Sequence, residues 1–152
     1  MASIAVQLAD ALAAGLNSHA FYAPYASLGA VRRYVPDADG ASLDTLTVSV
    51  VPGPYEIDHT QARGFDLFSH STYVVLAKHV QPDELDGLMQ LQQQVADVVR
   101  SKILVMPSMP SGAVWWSVAV QTSFDRDALT DRRLFLSQIE VVYRVPRDTL
   151  TS

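Results

Sequence analysis

The chain has 152 residues and no cysteine, which excludes disulfides, thiolate metal sites and cysteine nucleophiles. Cations are scarce: 11 Lys and Arg stand against 16 Asp and Glu, a net charge of −5. A protein that grips nucleic acid by its phosphates carries a basic patch or stripe. Here the only paired cations are Arg32–Arg33 and Arg132–Arg133, each beside an expected strand, so tight nucleic-acid binding is not expected. No apolar run approaches the ~20 residues that a membrane-spanning helix needs. The opening MASIAVQLADALAAGL lacks a basic start and contains Asp10, which argues against a secretory leader. With 49% hydrophobic residues, the composition is that of one globular domain, acidic and made in the cytoplasm.

Chemistry-bearing residues are present but scattered. His70 and His79 are separated by an odd number, so on one regular strand they point to opposite faces and cannot share a metal. Ser69, His70 and Ser71 are strand neighbours whose side chains diverge, so neither serine is placed to pass its proton to the imidazole. DADGASLD (Asp37–Asp44) lacks the third acid and the closing glutamate of a calcium loop and reads as a turn. Asp83, Glu84 and Asp86 occupy a helix start, and Asp125, Asp127 and Asp131 flank arginines in an expected polar turn. No glycine-rich phosphate loop occurs. Of Trp115 and Trp116, one faces away from the other, and tryptophan is enriched where proteins meet. No catalytic residue, cofactor or metal is expected.

The periodicities predict seven elements. Leu8, Leu12 and Leu16 recur every fourth residue after Ser3, a helix start, with Gly15 and Asn17 as stop signals. AVRRYVP (Ala30–Pro36) and TLTVSVV (Thr45–Val51) read as strands joined through the DADG turn. Pro52–Gly64 reads as a polar loop, and GFDLFSHSTYVVLAKHV (Gly64–Val80) as a long strand. A helix with Leu85, Leu88, Leu91, Val95, Val98 and Val99 on one face begins at Pro82. A proline-broken loop at Val105–Gly112 precedes VWWSVAVQT (Val114–Thr122), where Val114, Trp116, Val118 and Val120 are expected to share a face. LFLSQIEVVYRV (Leu134–Val145) closes the set. The order α-β-β-β-α-β-β predicts an α+β two-layer sandwich, a mainly antiparallel sheet of about five strands with two helices on one face.

Two of these strands are too long for an ordinary domain. A chain of this size has a radius of gyration of about 15 Å. Seventeen extended residues span some 50 Å, against ~17–20 Å for a typical strand. Gly64–Val80 is also apolar on both faces, with Tyr73, Val75 and Ala77 one way and Val74, Leu76 and Val80 the other. The long strands are therefore expected either to break at bulges or to project, with a second copy covering the outer face.

In order, length and texture the chain resembles the tail terminator (tail completion) proteins of long-tailed bacteriophages and related prophage particles. The likeness runs through the helix ADALAAGL, the strand LDTLTVSVVP, the helix DELDGLMQLQQQVADVVR and the closing strand SQIEVVYRV. It implies a structural virion protein of the neck. Such a protein forms a homohexameric ring that caps the head-proximal end of the tail tube, stops its polymerisation and joins it to the head-side connector or stopper. DNA would pass through the lumen without specific binding, which the acidic charge favours. Tyr55, Asp58, His59 and Arg63 are interface candidates by loop position, and Trp115 by residue type. Rival readings are another neck component (a head completion or stopper protein) and, from a different class, a small α+β ligand-binding module or enzyme. The latter needs polar groups converging in an apolar pocket.

Overall fold

Ser3 begins the first helix, its hydroxyl accepting from the Val6 N–H at 3.3 Å. Helix α1 (Ile4–Ser18) buries Leu8, Leu12 and Leu16 with Ala9 and Ala13, the stripe that the spacing predicts. Gly15 is not a stop: it is buried within the helix, which runs on to Ser18. Asn17 instead clamps the next segment, donating from Nδ2 to the Ala30 carbonyl at 2.8 Å and accepting from the Ala30 N–H at 2.6 Å. Asp10 holds Arg32 at 2.6 Å. These contacts bind strand β1 (Val31–Arg32) to the helix; the strand is shorter than Ala30–Pro36, and Tyr34 and Val35 stand 70% and 75% exposed.

The structure, a computed structural model, describes residues 3–21, 28–36, 44–58, 65–101, 113–122 and 124–148. Four further strands are β2 (Thr47–Asp58), β3 (Phe65–His79), β4 (Val114–Thr122) and β5 (Leu134–Asp148). They form one five-stranded sheet in the order β1-β2-β3-β5-β4. All neighbours are antiparallel except β1 and β2, which run parallel rather than as the expected hairpin, because β1 takes its place from α1. The fold is α+β. Among the described residues no helix is long and apolar enough to cross a membrane.

Helix α2 (Leu85–Arg100) follows a 3-10 turn at Pro82–Glu84 and buries Leu88, Leu91, Val95, Val98 and Val99. Gln92 is buried on the same face and donates from Nε2 to Ser137 Oγ at 3.1 Å, tying α2 to β5. At the start of this unit Glu84 accepts from Lys78 Nζ at 2.7 Å and from the Gln81 N–H at 3.0 Å. The lysine contact first, then the backbone N–H, holds the Glu84 carboxyl below its ordinary range. A carboxylate lowered in the folded state stabilises above its unfolded pKa and loses that contribution as pH falls through its folded value. Lys78→Met is therefore expected to flatten the acid limb of a melting-temperature profile below the ordinary glutamate range, while leaving its neutral slope unchanged.

A third helix replaces the polar turn expected before the last strand. Asp125 Oδ1 accepts from the Ala128 N–H at 3.1 Å and starts α3 (Arg126–Arg132), which ends on Arg133 in a left-handed conformation at φ 48°. Of the three aspartates read as a solvated turn, Asp125 is thus a helix cap, Asp127 a first-turn charge and Asp131 part of the last turn. Asp125→Ala is expected to cost about 1 kcal/mol. In a thermal melt this appears as a fall of roughly 2–4 °C.

Helices α1 and α2 cover one sheet face, over a core that includes Val48, Val50, Val74, Leu76, Ile139, Val141 and Tyr143. On the second face α3 lies over one end, where Ala128 packs with Ala77, Leu134 and Leu136. Val75 and Ala77, assigned above to cover by a second copy, are 4% and 1% exposed within the single chain. That expectation is corrected: the apolar part of the second face lies where α3 and neighbouring strands reach it.

Candidate assembly interface

Strands β3 and β5 pair without a break from Phe65 opposite Asp148 to His79 opposite Leu134. Fifteen residues at about 3.3 Å each make this pair some 50 Å long. Neither long strand is interrupted by a bulge in this pairing. The irregularities lie in the flanking strands, between Pro52 and Tyr55 in β2, and between Trp115 and Ser117 and between Val120 and Thr122 in β4. The shift near Trp115 breaks the single-face alternation expected from Val114 to Val120.

The β2 irregularity shapes the end of the sheet nearest Asp58. Pro52 pairs with Thr72 and Tyr55 with His70, so Gly53 and Pro54 together stand opposite Ser71. One extra residue reverses the side-chain parity. Val48 and Val50 face the core before it, and Tyr55 and Ile57 keep to that face after it, while Glu56 turns to the second. The segment read as a loop from Pro52 is strand as far as Asp58, because the bulge absorbs the two prolines without ending the pairing.

On the core side of this end three rings stack. Tyr55 lies 5.7 Å from Phe68 at 15° and 5.1 Å from His70 at 29°. His70 is 3% exposed, whereas Tyr55 is 55% and Ile57 43% exposed. The rings thus form a platform whose inner member is buried and whose outer edge meets solvent. Opposite His70, Tyr143 is fully buried, and burial pushes its phenol far above the ordinary value, so it stays neutral.

The second face at the same end is polar. Glu56, Ser69, Ser71, Ser117, Glu140 and Arg144 line a groove of about 410 Å³. Ser69 pairs with Arg144, and Glu140 with Tyr73. Partial burial first, and then the Glu140 carboxylate, raise the pKa of the Tyr73 phenol. Ser69 and Ser71 face this groove while His70 faces the other way, so the Ser-His-Ser run is divided between two faces. His70 and His79 likewise lie on opposite faces, as their spacing predicts.

Of the five interface candidates, only Tyr55 is described with its side chain, and it is the most exposed member of the platform. Asp58 ends β2 opposite Leu67, and Trp115 pairs through its backbone with Tyr143; both side chains lie outside the described residues. His59, Arg63 and the Val105–Gly112 loop also lie outside them. Ile57, Phe68 and the polar groove were not nominated from sequence. Their signal was the alternation of FDLFSHS against PYEID, which becomes legible only when the bulge fixes their register. No protein-family model matches the chain, and no curated protein matches its sequence.

Proposed function

We propose that the chain is a structural assembly protein of the tail-terminator type, a subunit of a ring that caps a tail tube and joins it to a head-side connector. The observation that carries this reading is the Tyr55–Ile57–Phe68 platform at the end of the long strands. An exposed tyrosine stacked on the half-buried Phe68, beside the exposed Ile57, supplies the aromatic anchor that protein-binding surfaces favour. The order of elements is the one read from the sequence, with α3 as an addition. The acidic chain suits a ring through which DNA slides, since its charge repels phosphates. No catalytic role is part of this proposal: His70 faces the core side of the sheet, away from the serines and acids that share the groove.

The test is to add the purified protein to polymerising tube protein from the same particle and image the product by negative stain. Short tubes of uniform length with a ring at one end support the proposal. Tubes that grow unchanged, with the protein remaining a monomer at micromolar concentration, overturn it.

A further inference from the structure

The sequence carries two cation pairs. Arg32 is held by Asp10, and Arg33 donates to Ser49 Oγ at 2.9 Å, so the first pair serves its own domain. Arg132 and Arg133 are exposed at the end of α3. Arg133 also keeps a left-handed backbone that a glycine would adopt at lower cost. Helix α3 stands as a ledge over one end of the second face, and among the described residues no helix lies over the groove at the other end. Among the described residues the groove carries Glu56 and Glu140 against one cation, Arg144, so its formal charge is negative, whereas the ledge tip, with Asp131 beside Arg132 and Arg133, is net positive.

From this complementarity of charge and relief, we propose that the ledge tip of one copy, Arg132–Arg133, seats in the Glu56–Glu140 groove of the next copy. Ledge and groove are different patches of one molecule, so the contact is heterologous and repeats from copy to copy, which closes into a ring when the rotation allows. The inference rests on the ring reading above and supplies its subunit contact. The Tyr55 platform, on the opposite face, remains available to the tube or connector.

The test uses charge reversal with native mass measurement and sedimentation at micromolar concentration, and far-UV circular dichroism to check folding. The variants R132E/R133E and E56K/E140K should each weaken self-association at least tenfold. Mixing the two should restore assembly with the variants in equal numbers, because each groove then meets a ledge of opposite charge. The contact is overturned if the wild type does not self-associate, if both variants assemble like the wild type, or if they dissociate and mixing fails to restore them. Rings that persist through charge reversal remove the contact and leave the ring reading standing. Restored species limited to two-fold dimers keep the ledge-groove pairing but remove its repeating arrangement and the ring reading with it.

Discussion

Valine in place of Gly53 is expected to destabilise the protein by about 2–3 kcal/mol, the cost of overfilling a packed position. A Cβ at Gly53 would stand 2.5 Å from Tyr73 Cε2 and 2.8 Å from the Ser71 carbonyl oxygen. The tyrosine ring can swing away, but the carbonyl belongs to the backbone of the central strand and cannot. Alanine already meets both atoms, and the branched side chain of valine adds further contacts. For a domain of this size the change should appear as a fall in melting temperature of roughly 5–10 °C. A variant that melts within a degree of the wild type would mean that the bulge tolerates side chains. Its role in directing Tyr55 and Ile57 would then need another basis.

The second large effect falls on assembly. Tyr55→Ser with Ile57→Ser should weaken ring formation or tube capping about a hundredfold, the scale expected when two anchoring side chains of an interface are truncated. Both residues are substantially exposed, so the melting temperature should drop by only a few degrees. The pairing of intact folding with lost capping separates a binding surface from a buried one. Double-serine protein that caps tubes at wild-type concentration would remove the platform from the interface.

Helices α1 and α2 were legible in the sequence because their signals are local. Ser3 and Pro82 mark starts, and the leucine and valine spacing marks the buried faces of α1 and α2. The alternation in β5 was equally readable: Ile139, Val141 and Tyr143 are buried, while Glu140 and Arg144 face the groove. What escaped depends on contacts between distant segments. Pro52, Gly53 and Pro54 look like a loop unless the strand beyond them is known to continue. Gln92 looks like an outward glutamine until Ser137 is brought to it. Asp125 is the exception: its cap on Ala128 is local, but a seven-residue helix gives too short a pattern to be told from a polar turn. The interface followed the same rule. Tyr55 was nominated for its position in a supposed loop, and its stacking on Phe68 and His70 depends on a register that the bulge determines.

The pairing of β3 with β5 also sets a timetable for folding. The strand at the centre of the sheet finds its longest partner only after α2, β4 and α3 have been synthesised between them. Sheets dominated by such distant pairings form slowly, since a long loop must close before any ladder bond rewards it. During translation, apolar Tyr73–Leu76 must wait on the nascent chain with only β2 beside it. Chaperone demand, and loss to inclusion bodies when expression outruns β5, should therefore be highest at this stage.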